Sequence, residues 1–99
     1  MNVRGVILDT NLLLLLVVGS ASLSYIDIHK RLRRFRAEDY RTLLKELRGI
    51  ERIVVSPHIL AETSNLLRSG GLREPASNQV IAKFRSIIGN IEEKHIPAV

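Results

Sequence analysis

Two carboxylates stand out in this sequence for the chemistry they could do. Asp9 closes the apolar stretch Val6-Ile7-Leu8 and is followed at once by Thr10 and Asn11. Glu62 lies just beyond a second apolar stretch, Ile53-Val54-Val55. An ionised carboxylate at the end of a buried strand is costly unless a cation or hydrogen-bond donors meet it. Asp9 has two such partners open to it: a metal ion, or the free backbone N–H groups of a helix that starts after it. Hard Mg²⁺ or Mn²⁺ ions take one or two carboxylates and keep the rest of their shell for water and substrate phosphates, so such a pair suits phosphodiester chemistry. His58, Glu62 and Asn65 share one side of a helix, a spacing compatible with zinc. No second His or Cys stands at matching spacing, so His58 reads better as an exposed rim residue.

The other candidate group is basic. His29 to Arg36 sets Lys30, Arg31, Arg33, Arg34 and Arg36 around Leu32 and Phe35. These five cations are candidates for contact with RNA phosphates, with Phe35 or Tyr40 as a stacking face, or they form a solvated surface. Fifteen basic against ten acidic residues give a net charge of +5, which favours polyanionic partners without choosing one. Cysteine is absent, which removes disulfides and thiolate metal sites and leads to the expectation of a reducing cytoplasm.

These groups need elements to hold them. Val3 to Leu8 reads as a strand buried on both faces. Thr10 is placed to cap a helix, and Leu12 to Val18, apolar all round, suits a helix packed on several sides and ended by Gly19. That run is well short of the ~18 to 20 apolar residues that cross a bilayer, so no membrane partner is expected. Arg4, the leucines and Gly19 to Ala21 have the order of a secretory leader, but Asp9-Thr10-Asn11 between basic start and apolar core is unusual for one. Ser20 to Ser24 reads as a connection, and His29 to Arg36 is undecided between loop and helix.

Further on, Tyr40, Leu43, Leu44 and Leu47 fall at i, i+3, i+4 and i+7, with Glu38 and Asp39 in the first turn and Gly49 past the last, which predicts a helix over Ala37 to Arg48. Arg52 to Val55 reads as a second strand. Ser56 as N-cap and Pro57 at the first helical position predict a helix to Arg68. Its stripe of Ile59, Leu60, Thr63, Leu66 and Leu67 leaves Glu62 on the rim, about 110° from the stripe's centre. Gly70 and Gly71 break the chain, and Pro75 opens a helix with Val80, Ile81, Phe84, Ile87, Ile88 and Ile91 on one face. This order predicts one α/β domain over residues 1–99, with a short parallel sheet and about four helices. Two strands alone make a marginal sheet, so a second copy, a partner protein or later strands are expected to cover the apolar helices.

Val6-Ile7-Leu8-Asp9-Thr10-Asn11, the leucine-rich helix, and Val54-Val55-Ser56-Pro57-His58-Ile59-Leu60-Ala61-Glu62 together resemble the N-terminal part of PIN-domain proteins. Those are three-layer α/β/α domains; many are metal-dependent ribonucleases and several are the toxic half of toxin-antitoxin pairs. The resemblance implies that Asp9 and Glu62 are catalytic carboxylates holding Mg²⁺ or Mn²⁺, that Thr10 and Asn11 position the first of them, and that an antitoxin-like protein is a partner. The family completes its acidic cluster with Asp residues after the long helix. Glu92 and Glu93 do not occupy that place, so the resemblance implies a domain lacking its C-terminal part and cleaving RNA weakly or not at all. The competing expectation is a non-catalytic interaction module that pairs with itself or a partner. A phosphotransferase of the haloacid-dehalogenase type would use Asp9 as nucleophile, but needs a second Asp where Asn11 stands.

Overall fold

The computed structural model of the chain describes residues 5–50 and 52–94. Val3, where the first strand was expected to begin, and the terminal His95 to Val99 lie outside the described residues. Strand β1 (Gly5–Ile7) leads into helix α1 (Thr10–Ala21), then α2 (Leu23–Ile28), a 3₁₀ turn over Lys30–Leu32, and α3 (Ala37–Leu47). Strand β2 (Arg52–Val54), α4 (Pro57–Arg68) and α5 (Ala76–Lys94) follow. The strands pair in parallel with Val6 opposite Ile53 and Ile7 opposite Val54. The chain is therefore α/β in the coarse sense expected, a short parallel sheet among helices.

Helix α1 is the centre of the fold because it has no polar face to give to water. Leu13 to Gly19 are all buried, and α2, α3, α4 and α5 pack against it. Its buried leucines join Leu8, Ile26, Leu32, Leu43, Val55, Leu67, Val80 and Phe84 in one core. Helix α3 buries Leu43 and half-buries Tyr40 and Leu47 of the expected stripe but leaves Leu44 42% exposed, and Gly49, at φ 84°, supplies the left-handed residue that closes its C-terminal end. Helix α4 starts as Ser56 and Pro57 dictate: the Ser56 hydroxyl accepts from the Ile59 N–H at 3.1 Å. No described helix is long and apolar enough to cross a membrane.

Several expectations are corrected. Gly19 does not end α1; it is buried within the helix, where the Tyr40 ring rests against its Cα and a Cβ would collide with that ring. The helix stops at Ser22, and the expected connection from Ser20 to Ser24 is only this one-residue break before α2, so the described residues hold five helices rather than about four. Thr10 is not the cap of α1. That role falls to Asp9, and Thr10 is the first helical residue. Val55 lies beyond β2, buried at the strand's end. Nor is β1 buried on both faces: Val6 is half-buried and its ladder partner Ile53 packs on the core, while Ile7 is 73% and Val54 42% exposed on the other side. Of the three expected layers, the described residues therefore supply a sheet with helices covering one face.

Candidate carboxylate site and adjoining basic cleft

The chain leaves β1 through buried Leu8 and turns at Asp9, whose extended backbone (φ −79°, ψ 174°) lets its side chain fold back over the first turn of α1. Asp9 Oδ1 accepts from the Leu12 N–H at 2.9 Å, satisfying one of the four N–H groups that a helix start leaves unpaired. The cap accounts for one oxygen; an ionised carboxylate has lone pairs left on the other. Asp9 is exposed, so solvent or an ion reaches it without desolvating the core.

Glu62, also exposed, sits in the middle of α4. Helix geometry alone does not direct it toward Asp9. The link is Thr10: its hydroxyl donates to Glu62 Oε1 at 2.6 Å, across 52 residues of sequence. The residue next to Asp9 thus holds Glu62, so the second expected carboxylate is tied to the start of α1. His58 and Asn65 are exposed on the same helix. Among the described residues no group of three or more His, Cys, Asp or Glu side chains is placed to hold a metal ion.

Asn11 opens onto a cleft of about 400 Å³ that it lines with Lys30, Arg31, Arg33, Arg34, Phe35 and Leu66. Four of the five expected RNA-contact residues therefore share one hollow. Arg36 does not: it is the N-cap residue of α3 and lines a smaller cavity of about 200 Å³ with Asp27, Leu32, Arg33 and Phe35. Its N–H is taken by Asp39 Oδ2 at 2.8 Å, which fixes the start of α3. Asn11 follows Asp9 by two positions and Leu66 follows Glu62 by one helical turn, a rise of roughly 6 Å, so the cleft shares α1 and α4 with the carboxylates, though neither of them lines it.

The basic turn is not a loose loop. The Lys30 N–H donates to the Gly70 carbonyl at 2.8 Å, and Arg31 Nε donates to Ser69 Oγ at 3.4 Å, tying the turn to the connection after α4. His29 plugs this junction at 1% exposure. Its Nδ1 accepts from the Arg31 N–H at 3.2 Å, whereas its buried Nε2 has no hydrogen-bond partner among the described residues. Burial pushes the imidazole pKa below its ordinary 6.5; the Leu67 carbonyl pulls the other way without closing a well-formed bond, and the Arg31 charge lowers it further. The expectations singled out the cations and passed over His29. Its one sequence signal is its place at the hinge between an apolar helix end and a run of charge. Thr63 is likewise wholly buried, its Oγ1 unpartnered among the described residues.

No family model, curated protein or solved structure matches the chain. The chain's own groups are two solvent-facing carboxylates, Asp9 capping α1 and Glu62 bonded to the Thr10 hydroxyl, and a cleft lined by four cations and one aromatic ring.

Proposed function

We propose that the chain is a PIN-like, metal-dependent ribonuclease domain in which Asp9 and Glu62 hold Mg²⁺ or Mn²⁺ beside the cleft that receives the RNA phosphates. The observation that carries this reading is the Thr10 to Glu62 hydrogen bond. The donor set fits such an ion: two exposed carboxylates and the neighbouring Asn11 amide offer oxygen ligands, and one or two carboxylates are what Mg²⁺ ordinarily takes. When bound, the ion lowers the pKa of a coordinated water and stabilises charge building on a phosphate. The protein's own contribution is positional. Thr10 fixes the Glu62 carboxylate, the α1 cap fixes Asp9, and the Lys30 to Arg34 turn offsets the charge of the phosphates that must approach two carboxylates. With two carboxylates at the site among the described residues, cleavage is expected to be weak.

Asn is as good an N-cap as Asp, so Asp9→Asn keeps the helix start while removing the charge, and a change in metal affinity then reports the carboxylate itself. Mn²⁺ titration followed by calorimetry is expected to show at least tenfold weaker binding in Asp9→Asn and in Glu62→Gln, with melting temperatures near the parent's. Undiminished Mn²⁺ affinity in both variants would sink the reading.

A second reading rests on the sheet. Ile7 and Val54 are paired in register and exposed, which favours a module that associates through that face.

A further inference from the structure

We propose that the basic cleft is a subsite for a single unpaired nucleotide, its base stacked on Phe35 and its phosphates met by Lys30, Arg31, Arg33 and Arg34. The assignment deepens the ribonuclease reading, and rests on it for the cleft's orientation toward Asp9 and Glu62.

Size decides first. About 400 Å³ lies within the range of roughly 300–1,000 Å³ typical of small-ligand sites, room for one nucleotide and not for a duplex. A duplex also hides the faces of its bases, whereas a base in a single strand can turn out and stack. Charge decides next. Four cations and no carboxylate line the hollow, so its field selects a polyanion, and a purely apolar ligand would leave that charge unanswered.

The stacking face follows by elimination among the chain's four aromatic residues. Tyr40 is committed to the core, its ring against Gly19 and its hydroxyl bonded to Ser20 Oγ at 2.9 Å. The Tyr25 hydroxyl donates to Gln79 Oε1, and Phe84 is buried in the core. Phe35 alone meets the cationic cleft, and it also walls the smaller cavity behind, so it stands as a partition between two hollows. Its N–H donates to the Leu32 carbonyl at 2.9 Å, holding it at the end of the 3₁₀ turn. Because His29 and the Lys30 to Gly70 bond anchor that turn, ring and cations are presented together before any strand arrives, which lowers the entropic cost of binding. Leu66 adds an apolar lining from α4, and Asn11 puts an amide donor and acceptor within the same hollow for a base edge.

The test is binding, in EDTA, so that neither metal nor cleavage enters. The chain has no tryptophan, which makes Phe35→Trp a single-tryptophan reporter. Its fluorescence is expected to be quenched by a short single-stranded oligoadenylate and left unchanged by a duplex of equal length. In anisotropy titrations Phe35→Leu is expected to bind the single strand about tenfold more weakly, the lower part of the range for one base–aromatic stack, with duplex affinity unaltered. Arg33→Ala combined with Arg34→Ala is expected to weaken both. An unquenched Phe35→Trp, or a Phe35→Leu protein that binds the single strand like the parent, overturns the subsite. The two proposals fail separately: Mn²⁺ titration without RNA reads the carboxylate pair, and quenching in EDTA reads the subsite, so loss of Mn²⁺ affinity in Asp9→Asn bears on the pair alone and loss of quenching in Phe35→Trp on the subsite alone.

Discussion

At the scale of single residues, His29 carries the clearest consequence. With Nδ1 accepting from the Arg31 N–H, the neutral ring holds its proton on Nε2, a buried donor without a partner among the described residues. Such a group ordinarily costs about 1–3 kcal/mol, so packing must retain it here rather than its hydrogen bonds. Charging the ring would add a second cation beside Arg31 in a desolvated place, which is why its pKa is lowered in the fold. The linkage sign follows. The unfolded chain takes up a proton near pH 6.5 that the folded chain refuses, so stability is full above that pH and falls as pH drops from 6.5 through the lowered folded value. On titration from pH 7.5 to pH 5, melting temperature is expected to hold until about pH 6.5 and to decline below it. His29→Asn, which keeps an acceptor for Arg31 but does not titrate, is expected to flatten most of that slope. A parent protein whose melting temperature is level across the window would show that the imidazole is not held neutral.

At the scale of elements, the junction of the basic turn with the α4–α5 connection depends on close approach. A Cβ on Gly70 would run into the His29 ring, and the same residue's carbonyl receives the Lys30 N–H. Gly70→Ala is therefore expected to cost about 1–3 kcal/mol in chemical denaturation, as overpacking does. Truncating the ring as well should return part of the loss, because His29→Ala opens the space the new methyl needs. A double-mutant cycle with additive terms would contradict the contact. Such contacts explain what the sequence could and could not convey. Helix α4 was legible to its ends, because Ser56, Pro57 and a local stripe specify it from within, and α3 likewise through its heptad-like spacing and Gly49. Helix α1 was legible as core but not in length, since the reason Gly19 stays helical is a ring twenty-one positions away at Tyr40. The short α2, with only Ile26 buried, carries no pattern of its own. The carboxylates were legible as residue types; the bond that ties Glu62 to Thr10 was not, because it depends on how α4 is set against α1.

At the scale of the whole molecule, one side of the sheet is left open by the packing of the described residues. Two short parallel strands are marginal alone, and their outer face presents Ile7 at 73% and Val54 at 42% exposure, directly opposite one another in the ladder. On the self-association reading, a two-fold axis would bring the same apolar pair against itself, so nothing beyond the patch is needed for complementarity. The net charge of +5 on each copy opposes that approach. Salt screens the repulsion while leaving apolar burial intact, so dimerisation is expected to strengthen with ionic strength. Binding of RNA to the basic cleft should move the other way, weakening with salt as counterion release is suppressed. Light scattering over a dilution series at low and high salt is expected to show a monomer–dimer equilibrium shifted toward dimer at high salt. Ile7→Lys, a substitution that strand edges tolerate and that puts a charge on the patch, is expected to leave a monomer throughout. A parent chain that stays monomeric at every concentration and salt would remove self-association through this face and leave the exposed pair to a different partner.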